Sequence, residues 1–402
     1  MNHRNKIARI RKWLGRIAPD GGIEELAERD PAEGVHGSLL ESVGGSGAIE
    51  QIELANDGIR NLVEDDEKLT EAQVAALEAI ILPNERPVTV IQNGRFGDLP
   101  APWKHLNSRN NTLRIQSAIP SIGRVEFGDD DAHGQIGTGF VVGRDLLMTN
   151  RHVAAFFSRG RGRRIQFLSS PPVGCDFLRE QNSVFKEFFE VVSVRMVHPH
   201  WDMAILEVSG IGAKHTPLNL SIEPPDELQG RDVAVIGYPV RNNDDSREVQ
   251  EKIFQGGDGI KRLAPGKIGD SAEVEISGER TVRAMTHDSS TLGGNSGSAV
   301  IDISNGDVVG LHFAGIYLKA NYSVPTWELA RDSRVVDAGL NFRGSVAKTR
   351  EWDSAWNSAD SATESIRPRP RTSSAAVPHV EGTTITIPLQ VTISLGEIRH
   401  SN

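Results

Sequence analysis

Three short segments hold the side chains best suited to chemistry. Met148-Thr149-Asn150-Arg151-His152-Val153-Ala154 presents a histidine. His198-Pro199-His200-Trp201-Asp202-Met203-Ala204 presents an aspartate, with two more histidines beside it. Thr291-Leu292-Gly293-Gly294-Asn295-Ser296-Gly297-Ser298 presents a serine among glycines. A serine hydroxyl is a weak nucleophile until a base takes its proton. Histidine suits that task, because its unperturbed pKa lies near neutral pH. A buried carboxylate accepting from the other ring nitrogen fixes the tautomer and stabilises the imidazolium. The glycines around Ser296 allow two backbone N–H groups to converge on a developing oxyanion, where a Cβ would obstruct the turn. One such donor contributes about 2.7–4 kcal/mol of transition-state stabilisation.

The surrounding pattern is that of short strands. Apolar runs at 88–91, 124–127, 139–142, 146–149, 191–197, 204–208, 233–236, 272–276, 282–285, 298–301 and 308–313 are separated by Gly, Pro, Asn and Asp. Many short strands with frequent turn signals predict a mainly β sandwich or barrel. Residues 1–85 read as helical. Ile7, Ile10, Leu14 and Ile17 recur at helical spacing, 48–63 is a second candidate, and a third starts at Thr70, with Gln73 completing a capping box and Pro83 ending it. Residues 351–382 are rich in Ser, Ala, Pro and Arg and read as a flexible linker. Within 383–402 follows a strict alternation with Ile385, Ile387, Leu389, Val391, Ile393 and Leu395 on one face. That is a half-buried strand, at an edge by reason of Pro388, which must join a sheet of this chain or of a partner.

With the order His, Asp, Ser inside β-type sequence, the chain resembles the chymotrypsin/trypsin-like serine peptidase superfamily over residues 115–345. The resemblance implies two six-stranded antiparallel barrels at 86–350, with His152 and Asp202 from the first and Ser296 from the second. It also implies oxyanion donors at the N–H groups of Gly294 and Ser296. Thr149-Asn150-Arg151-His152-Val153, Gly294-Asn295-Ser296-Gly297-Ser298 and Val309-Gly310-Leu311-His312-Phe313-Ala314-Gly315 are similar to the bacterial glutamyl-endopeptidase branch. Asn295 stands where animal trypsins have the aspartate that receives a new N-terminus, so the resemblance implies no activation of that kind. Ser290, uncharged, matches the base of the specificity pocket, and Thr291 and His312 match residues that hold an acidic substrate side chain. The backbone of Phe313 to Gly315 is then expected to pair with an extended substrate. The implied activity is a serine endopeptidase acting on a protein or peptide, with Glu or Asp before the cut bond.

Composition narrows the alternatives. The 402 residues are 38% hydrophobic and 24% charged, ordinary for a globular chain. A net charge of −10 disfavours general nucleic-acid binding. The basic clusters at residues 4–16 and 159–164 read as solvated faces. The single cysteine, Cys175, excludes an intrachain disulfide and leans towards a cytoplasmic location. No apolar run has the length of a signal sequence or a membrane span. No cofactor is expected. His198 and His200 beside Asp202 are too few for a metal site, and the chemistry needs none. Two other readings stand beside the peptidase. One is a peptidase regulated by a partner through residues 1–85 or the C-terminal strand, with one dedicated substrate. The other is a non-catalytic binding module on the same fold, disfavoured because all three triad positions are filled.

Overall fold

The computed structural model describes residues 86–361 with gaps at 129–133, 163, 169, 241–253, 255–256, 277–279 and 317–319. Before them it describes only positions 11, 57–58, 60–64, 68–70 and 73. In chain order the strands are β1 (Thr89–Gln92), β2 (Arg95–Phe96), β3 (Ile122–Phe127), β4 (Gln135–Gly143), β5 (Leu146–Thr149), β6 (Ser158–Arg159), β7 (Gln166–Phe167), β8 (Val173–Asp176), β9 (Phe188–Val197) and β10 (Ala204–Val208). Then come β11 (Asp232–Gly237), β12 (Arg262–Lys267), β13 (Ala272–Ile276), β14 (Arg280–His287), β15 (Ala299–Asp302), β16 (Val308–Ile316) and β17 (Ala320–Pro325).

Six strands close into an antiparallel barrel in the order β10-β5-β4-β3-β8-β9. Strand periodicity puts alternate residues on opposite faces. In β10, Ala204, Leu206 and Val208 fill the barrel with Val125, Val141, Leu147 and Cys175, while Ile205 joins a second cluster outside it. Both faces are buried, which is why these runs read as nearly continuous apolar sequence. The thiol of Cys175 is fully buried, and burial raises its pKa well above the usual value, so it packs as a small hydrophobe.

The second β unit departs from the expected closed six-stranded barrel. It is one nine-stranded sheet, in the order β13-β14-β17-β16-β15-β11-β12-β1-β2. The run from β12 to β14 curls until its ends touch. An isolated bridge joins Ile268 to His287, and Gly269 N–H donates to the Thr286 carbonyl at 2.9 Å. No full ladder forms there among the described residues. β11 again buries both faces. Val233 and Val235 pack with Met285, Val300 and Val309, and Ala234 and Ile236 pack with Leu263, Ile301 and Leu311.

The helices used below are α1 (Arg109–Ala118), α2 (Arg151–Ala154), α3 (Thr326–Arg331), α4 (Ser333–Asp337) and α5 (Asp353–Ser361). α5 corrects the expected start of the linker at 351. Its Ser, Ala and Asp content resembles a linker, yet Trp352 and Trp356 stand four residues apart and bury to 3% and 2% exposure. Two large apolar side chains at that spacing share one helix face and hold it on the core. Residues 362–402, with the rest of the linker and the alternating strand, lie outside the described residues, as do most of the helices expected before residue 86. The capping box itself is present. Gln73 N–H donates to Thr70 Oγ1 at 3.2 Å, and Thr70 N–H to Gln73 Oε1 at 3.1 Å.

Candidate active site

The β5–β10 ladder, with Thr149 opposite Ala204, brings the segments after one strand and before the other side by side. Asn150 precedes α2, and its side chain does not cap the helix. Its Nδ2 instead donates to the Asp202 carbonyl at 2.9 Å, tying the two segments together. His152, in the first turn of α2, has its Nδ1 2.6 Å from Asp202 Oδ2. The His152 backbone N–H donates to Asp202 Oδ1 at 3.0 Å. Both carboxylate oxygens are therefore held by the same residue. Burial pushes the Asp202 carboxyl upward, but the charge and hydrogen bond of His152 outweigh it and the net shift is downward. The Asp202 side chain is 6% exposed, whereas that of His152 is 35% exposed and open to a reacting group.

The turn carrying Ser296 is built by two residues with positive φ. Gly294 has φ +83° and Gly297 φ +92°, and a Cβ at either would run into backbone oxygens of Tyr238 or Thr138. Within the turn Asn295 N–H donates to Leu292, Ser298 N–H to Asn295, and Gly297 N–H to His312. The N–H groups of Gly294 and Ser296 find no acceptor among the described residues. β4 ties this turn to the barrel. Thr138 N–H donates to the Ser296 carbonyl at 2.8 Å, and Thr138 Oγ1 donates to the Gly294 carbonyl at 2.8 Å. Gly137 explains the close fit: a Cβ there would stand 2.8 Å from Val153 Cγ2 and 2.9 Å from the Ser296 carbonyl. One strand thus touches both α2 and the serine turn.

The expected specificity residues lie on β16 and in the turn before Ser296, beside β14 and β17. Ser290 Oγ donates to the Arg86 carbonyl at 2.8 Å, which commits its proton and leaves its oxygen as an acceptor. Arg86 is buried, pairs with Asp288 and lies over Trp103. Thr291 Oγ1 bonds Asn321 Oδ1, and Asn321 Nδ2 donates to the Ser289 carbonyl at 2.6 Å. Ser289 offers only an acceptor there, which orients the Asn321 amide. At Gly315 a Cβ would collide with Asn321 Oδ1 and approach Thr291 Oγ1 to 3.5 Å. His312, 3% exposed, has Nδ1 3.2 Å from His287 Nε2. Burial lowers both imidazoles, His287 to about 3 and His312 well below its usual value, and the His287 and His152 charges add to the latter. β15 covers β16 only as far as Leu311, so the same side of Phe313–Gly315 faces no described strand. The Phe313 ring is buried in the core.

His287 and Asn321 were not singled out from sequence. Neither lies in a motif, and only the pairing of β14 and β16 with β17 brings them to His312 and Thr291. His198 and His200 do not gather a metal set. Among the described residues no three His, Cys, Asp or Glu side chains are grouped to hold an ion.

Residues 137–311 match the trypsin-like peptidase domain family. A probable serine protease of Lysobacter enzymogenes is 26% identical over 310 residues, 67% of this chain and 77% of that protein. A glutamyl endopeptidase of Staphylococcus epidermidis is 29% identical over 188 residues, 47% of this chain and 57% of that protein. Among solved structures, the active form of the Rv3671c protease from M. tuberculosis is 23% identical, with a TM-score of 0.39, over 62% of this chain and 90% of that one. The matched segment contains His152, Asp202 and Ser296 and reaches into both β units, so residues 137–311 carry a trypsin-like peptidase domain and the chain is a serine endopeptidase.

Proposed function

We propose that Ser296 is the nucleophile, His152 the general base and Asp202 the group that orients the histidine, in peptide-bond hydrolysis through an acyl-enzyme. The observation that carries this reading is the doubly held Asp202, which accepts from both His152 Nδ1 and the His152 backbone N–H. With Nδ1–H given to Asp202, Nε2 keeps its lone pair for the Ser296 proton. As Oγ bonds to the substrate carbonyl carbon, its proton passes to Nε2, and the carbonyl oxygen takes the negative charge between the N–H groups of Gly294 and Ser296. The imidazolium returns the proton to the leaving amine as the C–N bond breaks, and water repeats the sequence on the acyl-enzyme. The substrate adds as a strand along Phe313–Gly315. A fluorophosphonate probe tests the assignment: the wild type is labelled and Ser296→Ala is not. Labelling that persists in Ser296→Ala removes it, and an unlabelled wild type favours the binding-module alternative.

The preferred residue before the cut bond is Glu or Asp, received by Thr291 and His312. A substrate carboxylate buried without a partner costs several kcal/mol, and an imidazole that takes up a proton beside a hydroxyl offsets that. The likeness to a glutamyl endopeptidase supports the same preference. Peptide-library cleavage by the wild type is expected to show cuts after Glu or Asp, and a profile without them ends the role given to His312.

A second reading, regulation by a partner through the extension, is favoured by one contact. Ser290 holds the Arg86 carbonyl, so the chain enters the described part of the domain beside the residues assigned to substrate specificity. Deleting 1–85 is expected to change KM, and unchanged kinetics would end that reading.

A further inference from the structure

The segment that presents Asp202 is organised around one imidazole. His198 is fully buried, and its Nδ1 accepts the backbone N–H groups of His200 and Trp201, each at 3.0 Å. A ring nitrogen that accepts carries no proton, so in the neutral ring the proton is on Nε2. Nε2 lies 3.1 Å from Asp332 Oδ2, to which it donates. The same oxygen accepts Trp356 Nε1–H at 2.7 Å, while Oδ1 caps α4 through Arg334 N–H at 2.8 Å. The Trp356 and Trp352 rings of the C-terminal helical segment stand against His198, with centroids 5.0 and 6.2 Å away. The His198 carbonyl accepts from Arg151, the neighbour of His152, at 3.3 Å. One residue therefore links three parts: its ring holds the turn bearing Asp202 and reaches α5, and its carbonyl meets the segment bearing His152.

We infer that His198 is a positioning residue for the peptidase reaction whose two ring nitrogens do separate work: Nδ1 shapes the turn that presents Asp202 to His152, and Nε2 anchors that turn to α5 through Asp332 and Trp356. The kinetic part of this rests on the triad proposed above. The two jobs are separable by substitution. Asparagine places a carbonyl oxygen close to where Nδ1 stands and cannot reach Asp332. Glutamine places an N–H close to where Nε2 stands and leaves the two backbone donors without an acceptor. Small errors in the placement of a supporting group are enough to lose about ten- to a hundredfold in rate.

The test uses the full chain, the rate of fluorophosphonate labelling, kcat and KM on a peptide the wild type cuts, and amide hydrogen exchange. His198→Gln is expected to label about tenfold more slowly or worse, with kcat reduced and KM unchanged, and to lose protection at the His200 and Trp201 amides. His198→Asn is expected to stay within about threefold of wild-type labelling. It keeps the amide protection but melts about 5 °C lower for want of the Asp332 bond. Equal labelling in the two variants, or the reverse order, overturns the proposal. So does retained protection in His198→Gln. If His198→Gln does not fold, the wild type still decides: 15N shifts of the His198 ring must show a protonated Nε2 and a bare Nδ1, and the opposite tautomer overturns the assignment. Labelling that survives Ser296→Ala ends the triad reading and the kinetic half with it, while tautomer and exchange judge the turn on their own.

Discussion

Asp202 has the most to lose from the smallest change. Asp202→Asn keeps the shape but can present an N–H to His152 Nδ1, which forces the proton onto Nε2 and blocks its use as a base. Steady-state kinetics are expected to show kcat lower by about 10⁴-fold with KM little altered. A loss under about tenfold would mean that Asp202 is not the orienting group. His312 gives a pH signature. Its pKa is lowered in the free protein, so at neutral pH the imidazole is uncharged, and a bound carboxylate favours the charged form. Cleavage after Glu then requires proton uptake. The Glu-to-Gln ratio of kcat/KM is expected to fall by up to about tenfold per pH unit above the imidazole pKa of the free enzyme. His312→Gln is expected to flatten that ratio, and a flat ratio in the wild type removes proton uptake from the account. The proposed triad of His152, Asp202 and Ser296 was legible because each residue sits in a local segment whose types suit the task proposed for it. His287 and Asn321 were not, since each meets its partner from 25 or 30 residues away in sequence.

At the scale of elements, the buried imidazole on β14 links fold to pH. His287 has a folded pKa of about 3 against an ordinary 6.5. Its neutral form is the one the fold accepts, so its contribution is complete above about pH 6.5 and lost by about pH 3. Across that window stability is expected to fall by about 1.4 kcal/mol per pH unit from this group, with His312 acting in the same direction. Urea titrations against pH are expected to show a shallower acid decline in His287→Gln, and an unchanged slope would exclude the group. Element boundaries were legible where apolar runs were unbroken, as in β5 and β10. β12 is not legible in the sequence, because Pro265 and Gly266 interrupt its apolar run. β1 covers β12 only at Arg262 and Leu263, so Pro265 sits where the strand has one neighbour, a place where its missing N–H is tolerated. α5 was misread for a different reason: polar composition masked two tryptophans on one helix face.

Across the whole molecule, the site exists only where the two β units meet. Thr138 on β4 is the tie, since its Oγ1 donates to the Gly294 carbonyl and accepts the Tyr238 N–H at 3.2 Å, both from the second unit. Thr138→Val keeps the volume and removes both bonds, leaving two backbone groups without their partner at a cost of about 1–3 kcal/mol. The variant is expected to melt lower and to label more slowly with fluorophosphonate, because the Ser296 turn loses its seat; labelling at the wild-type rate would show that the turn is held without it. The amino-acid sequence by itself determined the reaction class, because the serine, histidine and aspartate proposed for it each stand in a short segment of chain. It also determined the β character, through apolar runs of strand length between turn residues. Only the tertiary structure decided the nine-stranded second sheet, the pairing of His287 and Asn321 with His312 and Thr291, the tether of Arg86 to Ser290, and the seat of α5 behind the Asp202 turn. These depend on contacts between segments far apart in the chain, and local spacing carries no record of which distant backbone or side chain will satisfy a buried polar group.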